Sequence, residues 1–266
     1  MKQAYYSNSF KEFINDDSNR ILGLLNKRGV EFSSQFNDVT IAWDTSIPIF
    51  QQTVSSLIKD FPISENWTIL LEYEIPRLGG RIDAVILAND IIFVLEYKND
   101  RSKYLLADKR QVEDYALDLF DFHLESRNKI IIPVLIAPNA KEGLTNISVP
   151  DLVYVKDCLN SNQSSLSSLI QKAFTIFHNP KKENIDPIKW EQSEYHPTPT
   201  IIQAAKALFA GQKVEAITKT EAESKNILKV TNYIIDIIIN AEKEKSKVVC
   251  FVTGVPGAGK TLVGLN

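Results

Sequence analysis

Three ionisable side chains stand inside an otherwise apolar run, "RIDAVILANDIIFVLEYKND" at 81–100: Asp83, Glu96 and Lys98. Asn89-Asp90 divides the run, and asparagine readily takes the positive φ that a two-residue hairpin loop needs. Ala88 then pairs with Ile91, every opposed pair sums to 179, and Asp83 falls across from Glu96. Their Cβ atoms are expected roughly 5 Å apart on one face. Lys98, two residues past Glu96, points to the same face. Opposed carboxylates repel, more so when buried, unless a cation is present. One or two carboxylates completed by water and phosphate are what Mg²⁺ takes. An amine beside them orients or activates an attacking water, or stabilises charge developing on a phosphate. The plainer alternative is a salt-bridged hairpin in which Lys98 neutralises Glu96. Both faces of the run are largely apolar, with Val85 and Leu87 on the charged side and Ile82, Ala84 and Ile86 on the other. That pattern favours a cleft at one end of a buried sheet.

The elements that must hold these residues follow from periodicity. Residues 1 to about 60 read as helical and irregular, with Val54, Leu57, Ile58 and Phe61 at helical spacing. "WTILLEYEIP", "RIDAVILA" and "IIFVLEYK" read as three strands, with "RLGG" a turn between the first two. "DKRQVEDYALDLFDFHLES" reads as a helix, "KIIIPVLIAP" and "DLVYV" as strands, and "SSLSSLIQKAFTIFH" as a helix. The order predicts an α/β fold, a mixed sheet covered by helices on both faces. The stretch "NPKKENIDPIKWEQSEYHPTPT", polar and holding four prolines, reads as a linker. Domains are therefore expected at 1–178 and 200–266, with 179–199 between them. Two helices are expected in the second part, "TIIQAAKALFA" and one from about 219 to 245.

Composition excludes some classes. Apolar content is 44% and charged content 24%, ordinary for a globular chain. A net charge of −3 requires any nucleic-acid surface to be a local basic patch. Cys158 and Cys250 form no metal pattern and read as reduced thiols. The N-terminus lacks the apolar core of a signal peptide, and "YIIDIIIN" is too short to span a bilayer. The expectation is a cytoplasmic protein with no membrane partner; oligomeric state is not legible.

Asp83, a following hairpin and then Glu96-Tyr97-Lys98 resemble the signature of the PD-(D/E)xK nuclease superfamily, whose members share a restriction-endonuclease-like core. The resemblance implies that Asp83 and Glu96 hold Mg²⁺ or Mn²⁺ and that Lys98 assists phosphodiester hydrolysis. It further implies a role near the active site for Gln111 and Tyr115, four apart on one helix face, as in a Gln-x-x-x-Tyr element of some branches. A third carboxylate would come from Glu74, which a four-residue "RLGG" loop pairs with Asp83, or from Asp44. Arg81, Arg101, Lys103, Lys109 and Arg110 would supply phosphate contacts without sequence specificity. His123 and Ser126 read as structural.

A second motif, "GVPGAGKT" at 254–261, fits the phosphate-binding loop between an apolar strand, "VVCFVT", and a helix-like "KTLVGLN". Gly254, Gly257 and Gly259 would wrap a phosphate, Lys260 would reach the β- and γ-phosphates, and Thr261 would ligate Mg²⁺. No later acid, sensor or arginine finger follows, so the sequence reads as the N-terminal portion of a longer protein. ATP is expected to be bound only in that longer protein; the 266-residue chain is expected to be silent toward it. "SEYHPTPTIIQAAKALFAG" with "CFVTGVPGAGKTLVGLN" resembles the start of a Schlafen group-3-type, superfamily 1-like helicase domain. That resemblance would place Tyr195 and the Pro-Thr-Pro-Thr element near a nucleotide base in a complete protein. The leading expectation is a metal-dependent nuclease domain followed by the start of a helicase, acting on nucleic acid, DNA ranked ahead of RNA. The alternatives are an ATP-driven motor whose N-terminal domain only binds nucleic acid, and an interaction scaffold without chemistry.

Overall fold

The computed structural model describes residues 3–29, 36–75, 80–99, 101–141, 147, 154–195, 221–252 and 263–264, with backbone alone at 29, 36–42 and 221–228. The chain divides into two compact units, residues 1–195 and 196–266.

The first unit is an α/β fold built on a six-stranded mixed sheet in sequential order, β1 to β6. The strands are β1 (Ala4–Ser9), β2 (Thr68–Glu74), β3 (Arg81–Ala88), β4 (Ile91–Tyr97), β5 (Ile130–Ile136) and β6 (Leu159–Ser161). The first four run antiparallel to their neighbours, and β4–β5 and β5–β6 are parallel. The parallel step from β4 to β5 needs a crossover, and α4 (Leu106–Phe122) supplies it. One face of the sheet packs on α1 (Phe10–Asn15), α2 (Ser18–Gly29), α3 (Phe36–Asp60) and α5 (Leu166–Phe177), through residues such as Phe10, Leu25, Phe50 and Phe174. The other packs on Val112, Ala116 and Leu119 of α4 and on Trp190 of α6 (Pro187–Glu191). Burial on both sides explains why β4 is apolar from Ile91 to Leu95 instead of alternating.

Three expectations change. The first 60 residues are not wholly helical: "AYYSNS" forms β1, whose Ala4 pairs with Tyr73 and Tyr6 with Leu71. The polar Ser7-Asn8-Ser9 half of the strand carries no apolar alternation to announce it. The start of α1 was encoded beside it, since Ser9 accepts from the Glu12 N–H and its own hydroxyl reaches the Glu12 carboxylate. The strand "DLVYV" lies partly outside the described residues; Val155 makes one bridge to Ile131, and the last strand is instead β6.

The expected linker is also largely part of the first unit. Trp190 is fully buried, with its ring 4.9 Å from Tyr73 and 4.5 Å from His123, and its indole N–H donates to Ser126 Oγ at 2.9 Å. The Ile185 N–H donates to the Asn89 carbonyl at 2.6 Å, and the Leu124 N–H to the Glu194 carbonyl at 3.1 Å. Asp186 followed by Pro187 is a helix start, and the Asp186 side chain accepts from the Ile188 and Lys189 N–H groups. His123 and Ser126 are thereby accounted for structurally, as expected. Burial pushes the His123 imidazole down to about 4, so it stays neutral.

In the second unit α7 (Glu221–Glu244) matches the expected long helix and leaves Tyr233, Ile235, Ile238 and Ile239 exposed. Residues 248–252 of the expected strand before the phosphate loop are in no strand. "TIIQAAKALFA" and Gly254, Gly257, Gly259, Lys260 and Thr261 lie outside the described residues, as does the Pro-Thr-Pro-Thr stretch.

Candidate active site

The β3–β4 hairpin forms in the expected register. Asn89 takes φ 53, Ala88 pairs with Ile91, and the ladder runs to Ala84–Leu95. One step further, where Asp83 was expected to face Glu96 squarely, it turns aside. Its Oδ2 accepts the backbone N–H of Tyr97 at 2.7 Å, which places the carboxylate at the seam between the strand ends. It remains close enough to Glu96 to raise that carboxyl, and close enough to Lys98 to be lowered by it.

Lys98 follows the last residue of β4, and its backbone N–H donates to the Ile136 carbonyl at 2.9 Å, so β5 holds its Cα in line. Its ammonium donates to Glu96 Oε1 at 2.8 Å and to Gln111 Oε1 at 2.9 Å, with Asp108 Oδ1 3.9 Å away. Gln111 in turn donates from Nε2 to the Tyr115 hydroxyl at 3.0 Å. Asp108, Gln111 and Tyr115 fall on one face of α4 because they are three and four apart. Gly80 makes room for this row: a Cβ there would sit 3.1 Å from Tyr115 Cε1.

Neither Glu74 nor Asp44, the two candidates for a third carboxylate, stands across from Asp83. The loop between β2 and β3 spans 75–80, longer than "RLGG", so opposed residues sum to 155 and Glu74 pairs with Arg81. Glu74 instead accepts from the Tyr5 hydroxyl at 2.8 Å, and Asp44 is exposed. Glu72 takes the position across from Asp83. It is buried, accepts the Trp43 indole N–H at 2.6 Å through Oε1, and ion-pairs with Arg81 through Oε2. Its φ of 52 is rare for a residue with a side chain. Leu71 and Tyr73, which alternation would put on one face, join opposite core clusters, and so do Ala84 and Ile82 across from them. This wrench turns Glu72 and Asp83 toward the α3 side, where both line a cavity of about 260 Å³. Only the two-residue shift in register separates Glu72 from the expected Glu74, and a correct loop length would have found it.

Electrostatics set the three carboxylates apart. Burial, then the nearby Asp83 charge, pushes Glu72 up to about 8. Burial and Asp83 likewise push Glu96 up to about 8, and burial raises Asp83 to about 6. Burial opposes the charge on Lys98, but the Glu96 carboxylate outweighs it and raises the ammonium above its ordinary value. Lys98 is thereby favoured in its charged form.

Among the described residues no three His, Cys, Asp or Glu side chains are already gathered as a metal shell. The residues nevertheless suit a hard divalent ion. Glu96 Oε2 is buried without a hydrogen-bond partner, and burial together with the Asp83 charge raises both Glu72 and Glu96, which leaves an unmet need for positive charge. Mg²⁺ keeps several waters and takes few protein ligands, so a loose pair of carboxylates is enough.

Of the expected basic residues, Arg101, Lys103 and Arg110 are exposed around the β4–α4 connection, while Lys109 and Arg81 are half-buried. Tyr195 belongs to the first unit, where it bridges His123 and sets its ring 5.7 Å from Phe122. Cys158 is buried and Cys250 exposed, both free thiols. Among the described residues no helix is long and apolar enough to cross a membrane. No protein-family description, curated protein or solved structure matches the chain.

Proposed function

We propose that the first unit is a metal-dependent nuclease that hydrolyses nucleic-acid phosphodiesters. The observation that carries this reading is Lys98, pinned as a cation by Glu96 and Gln111 beside the seam that holds Asp83. The same residues carry the resemblance to PD-(D/E)xK nucleases. Asp83 and Glu96 would hold Mg²⁺ or Mn²⁺, which when bound polarises a phosphate and lowers the pKa of a coordinated water. Lys98 presents N–H donors to a phosphate oxygen and stabilises charge that grows on it as water attacks. Gln111 keeps the ammonium from swinging into solvent, and Tyr115 keeps Gln111 in place. Arg101, Lys103 and Arg110 supply the local positive surface that a chain of net charge −3 needs to approach a polyanion.

The test is digestion of single-stranded DNA, duplex DNA and RNA with Mg²⁺ or Mn²⁺, against an EDTA control. Metal-dependent cutting that disappears in folded Glu96→Ala and Lys98→Ala chains is expected. Equal cutting by both variants would move the chemistry elsewhere.

A further inference from the structure

We infer that the cavity beside Glu72 and Asp83 receives one unstacked nucleobase of a single-stranded substrate, an assignment that rests on the nuclease reading. The cavity lies between the sheet and the helices α2 and α3, and measures about 260 Å³. That is just under the roughly 300–1,000 Å³ that drug-sized ligands fill, so it suits one flat heterocycle and excludes a helical segment. Three rings, Trp43, Phe50 and Tyr97, contribute to its wall, and Glu72, Arg81 and Asp83 form its polar end. Arg81 is held there by Tyr5 and Trp43, whose ring centroids lie 5.3 and 5.8 Å from its guanidinium carbon.

An aromatic wall with a hydrogen-bonding end matches a nucleobase, which has an apolar face and a polar edge. A phosphate fits poorly. The lining holds two carboxylates against one guanidinium, and that guanidinium is already paired with Glu72. An alkyl chain would leave the charged end without a partner. Asp83 belongs to both the cavity wall and the candidate site. A base whose edge is read by Glu72 and Arg81 would therefore sit next to the candidate site with Asp83 at the border, and a paired base would first have to leave its stack. Single strands, or duplex ends that fray, would be preferred over intact duplex.

Ser46, a small buried residue of α3 on the cavity wall, allows the test. The 266-residue chain carrying Lys98→Ala, to hold cleavage off, is titrated with Mg²⁺ into DNA bearing 2-aminopurine at either end or the centre. Stacking on a protein ring quenches this base. We expect quenching of the single strand and little change in the duplex. Ser46→Phe and the smaller Ser46→Leu, added in the same background, should weaken single-strand binding about tenfold or more while keeping the melting temperature, because they fill empty space. Unchanged fluorescence on adding single strand, or equal binding by a folded Ser46 variant, overturns the assignment. Hydrolysis of bis(p-nitrophenyl) phosphate by the wild-type chain separates the two ideas. A protein that quenches the single strand but hydrolyses neither this small ester nor DNA upholds the cavity and sinks the nuclease reading.

Discussion

Lys98 and its neighbours set the sharpest expectations. On the proposed nuclease reading, Lys98→Ala removes a cation from beside the scissile phosphate, and Glu96→Ala removes both a candidate metal ligand and the ion-pair partner of Lys98. Each is expected to lower metal-dependent cleavage by about a hundredfold or more, equal to roughly 3 kcal/mol of lost transition-state stabilisation. Glu72 yields a pH prediction. Its folded-state carboxyl is raised to about 8 from 4.5, so the metal-free folded protein binds a proton there that the unfolded chain has released. Stability from this position is full below the unfolded value and is lost as pH rises through about 8. Glu72→Gln should therefore melt above wild type at pH 8.5 in EDTA and level with it near pH 4. A melting temperature for the variant below wild type at pH 8.5 would show that the ionised Glu72–Arg81 pair is a net stabiliser. Added Mg²⁺ should raise the wild-type melting temperature at pH 8, because it binds only the folded carboxylates, and should do so far less in Glu96→Gln.

Elements place these residues by small departures from regular geometry. The left-handed backbone at Glu72 reorients a whole strand end and delivers two carboxylates to the cavity instead of the α4 face. Backbone of this kind persists where surrounding structure over-determines it, here through Trp43 and Arg81. On the opposite side, a Cβ at Gly80 would stand 3.1 Å from Tyr115 Cε1, a tight contact in which the ring must give way. Gly80→Ala is expected to shift Tyr115 by a few tenths of an ångström, loosening Gln111 and Lys98. The reading to take is cleavage rate beside melting temperature: the rate should fall several-fold while the melting temperature moves little. A rate that holds would mean that Tyr115 does not govern Lys98. Trp190 on α6 closes the α4 layer, and Trp190→Ala should cost about 3–5 kcal/mol in urea unfolding, as for a large ring removed from a packed core.

On the scale of the molecule, the described contacts end the first unit at Tyr195, not near residue 178. Residues 1–195 alone are expected to unfold cooperatively with a melting temperature close to that of the first transition in the full chain. Residues 1–178 should be markedly less stable, because they lack Trp190 and the Ile185 bond to Asn89. Circular dichroism melts of both fragments would show this; equal melts would return 179–195 to the status of a linker. Every described residue of the candidate site precedes Phe122 and so belongs to the first unit.

How much was legible follows from range. Hydrophobic runs and the Asn89-Asp90 turn are local, so the strands β2 to β5, the helices α4 and α5 and the β3–β4 register could be read from residue types alone. Lys98 stands beside Glu96 by alternation along one strand, in the ion pair that the plainer alternative expected, whereas Asp83 does not face Glu96 squarely as the register implied; Gln111 and Tyr115 followed from helical spacing. Loop length between β2 and β3 was not legible, because "RLGG" only marks part of the turn, and the error moved the third carboxylate from Glu72 to Glu74. The reversal at Glu72 has no local signature: glutamate does not favour positive φ, and only Trp43 and Arg81, brought from 29 residues before it and 9 after it, hold it there. Trp190 looked like part of a polar linker because its burial depends on Tyr73 and His123, both distant in sequence. Residue types suggested the proposed chemistry, and long-range packing decided which carboxylate stands across from Asp83 and on which side of the sheet the cavity opens.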